Sequence, residues 1–547
     1  MGFRTHLVAV TVTLSALASL AHAGQEEGDP VAVLREIGEV GDVSFPVSCE
    51  GEEVQGRFNR AVALLHHMTY EVAEREFRRI AMDDPSCAMA HWGIAMTLIH
   101  PVWPGQPEAD ALRRGATEIA RARELQKTER EASYIEALSA FYDDWQEVDH
   151  WVRIKRWDEA QTAVHSRYAD DDDALAFHAI VHIAASPKDD LEYRFNREAG
   201  GKMEALSARR PRHPGATHYL IHAYDNPPLA KKALGAARAY GAIAPEVPHA
   251  LHMPTHIFTR LGLWLDSVRW NIRSREAARN LLGDGSFAHA SDYMTYAYLQ
   301  AGRDGDARTA KEELFKAKKS DDFFVSAYAL AAVPARIEME LGNWQQAARL
   351  QPRVPSDLSW AKYPACEAIV HFARGIGAAR SDQGDHARAA AAHLGRIARE
   401  LEEGGSPYWS RQVRMQRTAV EAWITHSEGR TEEGLSLMKE AAIADDGLDK
   451  HPVTPGAVLP ARELYADMLA EEQRWDEALE AYEATLRISP NRFNSLAGAG
   501  WVAERAGKAA EARAHYGRLL EVAGNGDTVR LGLVRARSFL GVEVSSE

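Results

Sequence analysis

The sequence predicts an all-α protein, a solenoid of about ten stacked helix pairs. Three observations carry that expectation. From Phe58 almost to the end of the 547 residues, apolar side chains recur at helical spacing, and no run of alternating β-branched residues marks a sheet. Turn-like segments around Gly262, Gly302, Gly342, Gly384 and Gly429 fall 40, 40, 42 and 45 residues apart, which fits one helix pair per repeat with glycine ending the first helix of each. Paired histidines recur on the same scale: His178 to His218 is 40 residues and His218 to His252 is 34.

The N-terminal residues 1–23 have a polar start with Arg4, an apolar run from Leu7 to Leu20 and a small-x-small ending at Ala21-His22-Ala23. That is the pattern of a secretory signal peptide cleaved before Gly24, and it predicts an exported protein, periplasmic or secreted. No later run reaches the apolar length of a membrane span, so no span is expected after signal cleavage. Residues 24–53 are polar with little periodicity and read as an N-terminal extension. N-terminal helical repeats are expected over 54–170, central repeats over 171–310 and C-terminal repeats over 311–547. Two Pro-rich connections interrupt the helices, His100–Asp110 and Asp449–Tyr465. Each is either an inter-repeat linker or a rigid segment able to reach over the end of a groove.

Near the start, Tyr70, Ala73, Phe77 and Pro85 are followed at once by Ala90, Trp92 and Gly93; near the end, Trp475, Ala478, Tyr482 and Pro490 hold the corresponding places. Both stretches resemble tetratricopeptide repeats, a likeness that covers roughly Phe58 to Leu540. The resemblance implies a right-handed α-solenoid whose first helices line a concave groove, and a chain that binds other proteins more often than it catalyses.

The net charge of −15 without a basic block argues against nucleic acid as a partner. Cys49 and Cys87 could pair in an oxidising compartment and tie the extension to the first repeats, while Cys366 sits among apolar neighbours as a core residue. The absence of Cys-x-x-Cys excludes thiolate zinc and iron–sulfur sites. No phosphate-cradling glycine loop, nucleophile elbow or dinucleotide fingerprint is present.

Histidines dominate the central repeats. His178 and His182, His218 and His222, and His252 and His256 each stand one helical turn apart, the spacing that lets two imidazoles reach one ion. A lone histidine on a helix is more often a satisfied polar residue than a ligand, but three pairs at the repeat period are hard to produce by accident. Counting back from Gly262 sets His249 on the groove face with His252 and His256, and the count from Gly302 adds His289, Asp292 and Tyr296. Asp225, Tyr219 and Tyr224 flank the middle pair as groups that orient a ligand or touch substrate, with Asp225 equally suited to ending its helix. Arg260 and Arg336 offer cations for an anionic substrate.

Imidazole donors suit a transition metal, copper preferred, with zinc or iron as alternatives. HExxH is absent, so no zinc-protease base is built in. In ligand chemistry alone, six histidines from three helical pairs resemble the coupled dicopper centres of hemocyanin and tyrosinase. The expectation is a copper-dependent oxidase or oxygenase acting on a small molecule or peptide in the groove. Two alternatives stay open: an interaction scaffold or periplasmic metal-binding protein without catalysis, and a zinc hydrolase with Asp225 or Asp292 as base.

Overall fold

Proline and glycine punctuate the chain into helix pairs. Pro214, Pro248, Pro254, Pro364 and Pro407 each sit in the first turn of a helix, where a missing N–H costs nothing. Gly262, Gly302, Gly342 and Gly429 follow the ends of first helices with φ of +64°, +66°, +67° and +82°, the left-handed position that closes a helix. The turn near Gly384 departs from expectation. Asp382 takes the left-handed φ of +58°, and Gly384 opens the next helix, Gly384–Glu403.

The computed structural model describes Gly2 and residues 37–51, 53–102, 106–187, 190–279, 285–317 and 322–542. All regular structure among them is helical, and no described helix is long and apolar enough to cross a membrane. The leader pattern at 1–23 lies outside the described residues apart from Gly2.

First helices stack on first helices. Ser286–Gln300 packs on Phe324–Glu340, which packs on Pro364–Ala379, which packs on Pro407–Ser427, and each also packs on the helix that follows it. Such stacking buries each amphipathic face against its neighbour, and the fold is a tetratricopeptide-like α-solenoid. The core divides in two, one cluster running from Ile37 to Phe258 and the other from Trp264 to Ala536.

The solenoid also closes on itself. Helix Val54–His66 touches helix Pro214–Tyr224 across several repeats. Further on, the Trp264 indole donates to the Asn491 carbonyl at 2.9 Å, and the Asn491 amide donates to the Gly262 carbonyl at 3.0 Å. Buried Arg492 bridges Glu340 and Glu463 at 2.8 and 2.7 Å.

Residues 37–51 lie against the first repeats. Phe45 is buried among Phe58, Trp92 and Tyr134, and Cys49 is joined to Cys87 by a disulfide. The second Pro-rich connection packs against the first helices Ser286–Gln300 and Phe324–Glu340. Its Pro452 and Thr454 carbonyls lie 2.9 and 3.0 Å from the Tyr293 hydroxyl, and its Gly456 and Ala457 carbonyls accept from buried Arg336 at 3.0 and 2.8 Å.

Candidate metal centre

Six histidines converge where the two core clusters meet. Pro214–Tyr224 carries His218 and His222, Pro248–His252 carries His249 and His252, Pro254–Arg260 carries His256, and Ser286–Gln300 carries His289. Pro254 has no N–H to continue the preceding helix, so His252 and His256 fall on two short helices. Their Nε2 atoms nevertheless stand 3.1 Å apart.

Two groups of three form. His218, His222 and His249 bring one ring nitrogen each within 4.8 Å of the others, and so do His252, His256 and His289. The groups adjoin: the rings of His222 and His256 are 6.4 Å apart, as are those of His249 and His252.

Hydrogen bonds on the far side of three rings fix which nitrogen carries the proton. His218 Nδ1 donates to the His66 carbonyl at 2.6 Å, His252 Nδ1 to Asn271 Oδ1 at 2.8 Å, and His256 Nδ1 to Asp225 Oδ2 at 2.8 Å. Asn271 is itself oriented, because its amide donates to the Ser267 carbonyl at 2.9 Å. Each of these rings therefore turns an Nε2 lone pair inward, the tautomer a metal ion requires.

Two consequences follow. The Nε2 atoms of His218 and His222 are buried with no hydrogen-bond partner. The Nε2 lone pairs of His252 and His256 face each other at 3.1 Å, which is repulsive unless a cation sits between them. A proton is a poor candidate. Burial first, and each other's charge in the case of His252, push both imidazoles below their ordinary range. A metal ion can instead accept several of these lone pairs at once and recover the cost of burying charge through coordination bonds, so the donor set fits one.

The surroundings are equally constrained. Burial would raise the Asp225 carboxyl, but Lys450, Arg260 and His256 around it hold it well below the usual carboxylate range. Lys450 Nζ lies 2.9 Å from Asp225, and burial brings its ammonium down to about 8. Arg260 joins Asp225 to Asp449 at 2.9 and 2.8 Å. Next to the rings is a cavity of about 30 Å³ lined by His222, His249, His256 and His289 and capped by Met68, Val102 and His451-Pro452-Val453. It holds one or two water-sized ligands. Beyond the second Pro-rich connection, a cavity of about 330 Å³ is lined by Tyr193, Arg260, Tyr408, Trp409 and Lys450.

The structure redistributes the residues read from sequence. His218, His222, His249, His252 and His256 come together, and His289 brings a ring nitrogen within 4.8 Å of those of His252 and His256. His178 and His182 do not, because their helix turns them toward Asp158. Asp225 orients His256, as its position suggests. Tyr219 supports indirectly, since its hydroxyl bonds His66 Nδ1 at 3.0 Å. Tyr224 faces away: a Cβ on Gly200 would lie 2.1 Å from its ring.

Asp292 is paired with Arg336 at 2.9 Å, and the Tyr296 hydroxyl accepts from Arg492 at 3.1 Å, so neither serves the histidines. Arg260 is paired with Asp225 and Asp449 and Arg336 with Asp292, and both also contact the second Pro-rich connection. Asp225 is engaged by His256, Arg260 and Lys450, whereas Asp292 pairs with Arg336 through Oδ1 and keeps a buried Oδ2 without a partner.

Sequence reasoning passed over Tyr293, whose hydroxyl is 3.3 Å from His256 Nδ1 and whose ring is 4.7 Å from that of His252. Its spacing of four from His289 was the available signal. Asn271, the His66 carbonyl and Lys450 carried none.

No protein-family model and no curated protein matches the sequence. Among solved structures, yeast Tom70 is similar at 10% identity and a TM-score of 0.34, over 90% of this chain and 96% of that one. A human IFIT1 dimer with m7Gppp-AAAA gives 12% and 0.36 over 87% and 95%, and the apo form of RapI gives 10% and 0.34 over 76% and 100%. Likenesses this low bear on neither the site nor the activity.

Proposed function

We propose that this chain is an exported metalloprotein whose His218–His222–His249 and His252–His256–His289 groups hold a pair of transition-metal ions, copper by preference, and that it acts as an oxidase. The facing Nε2 atoms of His252 and His256 at 3.1 Å, each with its proton fixed on the outer nitrogen, carry this reading. All six donors are neutral nitrogens, which suits copper over magnesium or calcium. When bound, copper supplies one-electron redox chemistry toward a dioxygen-sized ligand, and the 30 Å³ cavity matches that size. The chain's own groups hold the rings and leave room beside them for only one or two small molecules.

The test is elemental analysis and electron paramagnetic resonance of protein metallated in the cell. About two copper ions per chain with a weak or silent resonance is the expected result, and His218→Ala with His222→Ala should remove at least one. A chain without near-stoichiometric transition metal sinks the reading.

The small size of the cavity beside the rings, about 30 Å³, favours a second reading, in which the chain holds its ions without turnover and the solenoid serves as a scaffold for a partner. Dioxygen consumption by the metal-loaded protein with a small phenol or a reductant separates the two.

A further inference from the structure

The histidine pair left outside the six has a chemistry of its own. Asp158 on helix His150–Arg167 and His178 and His182 on the next helix, Asp172–Ala184, each bring one ligand atom within 4.8 Å of the other two. His182 Nδ1 is 3.0 Å from Asp158 Oδ2. His178 is only 2% exposed, yet its Nδ1 has no hydrogen-bond partner and its Nε2 stands 4.0 Å from Asp158 Oδ1, too far for a hydrogen bond.

A buried imidazole left this way on a rigid helix, with its Nε2 turned to a carboxylate across a gap, is unfavourable as it stands. An ion about 2.0–2.2 Å from each donor would occupy that gap.

We propose that Asp158, His178 and His182 bind a single divalent ion of the zinc type, at a site separate from the paired histidine groups. Two imidazoles and one carboxylate without thiolate select borderline ions such as zinc, cobalt(II) or iron(II) over calcium and magnesium. The side chains of Asp158 and His182 are 15% and 14% exposed, so the remaining coordination positions face water, as in sites that bind an exogenous ligand. Glu198 stands 3.6 Å from His182 Nε2 and is paired with Lys202 at 2.9 Å, which offsets that cation. His165 adds a second buried Nδ1 without a partner, its ring 5.8 Å from that of His178.

The experiment titrates zinc and cobalt(II) into the metal-free full-length protein by calorimetry and visible absorption. Asp158→Asn and His182→Ala should each weaken one site at least tenfold and remove its cobalt d–d bands. Both side chains are partly exposed, so folding, followed by circular dichroism, should be unaffected. His218→Ala with His222→Ala should leave this site intact, which keeps its fate independent of the paired centre. Wild-type protein that takes up neither ion here, or folded variants with unchanged affinity and spectra, would overturn the proposal.

Discussion

His252 and His256 gain their meaning from what lies behind them. An imidazole is a symmetric-looking donor until an acceptor claims one nitrogen, and Asn271 and Asp225 claim Nδ1 in both rings. Asn271→Ala removes one such acceptor without touching a ligand. Metal affinity should fall about 10–100-fold, read by calorimetry on the metal-free protein, and an unchanged affinity would show that Asn271 does not set the tautomer.

A buried histidine outside the two groups of three makes the fold sensitive to acid. Burial drives His67 down to about 3, with Tyr240 and the Val40 carbonyl on its two nitrogens. The unfolded chain takes a proton near 6.5 while the folded chain refuses it, so stability is full above pH 6.5 and is lost as pH falls from there toward 3. His67→Gln should flatten that dependence by roughly 1 kcal/mol per pH unit, measured by denaturant unfolding across pH 4–7. Equal slopes in variant and wild type would refute it.

At the scale of elements, the second Pro-rich connection decides what can reach the rings. Arg336 and Tyr293 hold it through backbone carbonyls, and Lys450 and Asp449 fasten its start to Asp225 and Arg260. Tyr293→Phe removes a buried hydroxyl lying between two carbonyls at a cost of about 1–2 kcal/mol. The segment should loosen, and a chelator should strip bound metal several times faster than from wild type, by stopped-flow absorbance. No change in rate would mean that ions leave by another route.

The helices and their period were legible in the sequence because amphipathic spacing and Gly262, Gly302, Gly342 and Gly429 repeat locally. The grouping of His218, His222, His249, His252 and His256 was legible because it depends on helical spacing within adjacent repeats. His178 and His182 obey the same spacing, and only the rotation of their helix toward Asp158 sets them apart. The closure over the site was not legible, since Tyr293 meets Pro452 and Thr454 more than 150 residues away along the chain.

For the whole molecule, closure changes how stability should be distributed. An open solenoid touches only its neighbours and unfolds as a sum of repeats. Here Trp264 and Gly262 bond Asn491, the Gly302 carbonyl accepts from the Thr528 N–H at 3.0 Å, and Arg492 ties Glu340 to Glu463, so distant repeats share contacts. The six histidines add another tie: five lie on helices Pro214–Arg260, before the second core begins, and His289 lies within it. Ions bound there should cross-link the two cores, so metal loading should raise amide protection in both, as far away as helix Trp475–Ile488. Hydrogen exchange of metal-free and loaded protein reads this directly. Protection confined to helices before Phe258 would mean that His289 contributes no ligand and that each core stands alone.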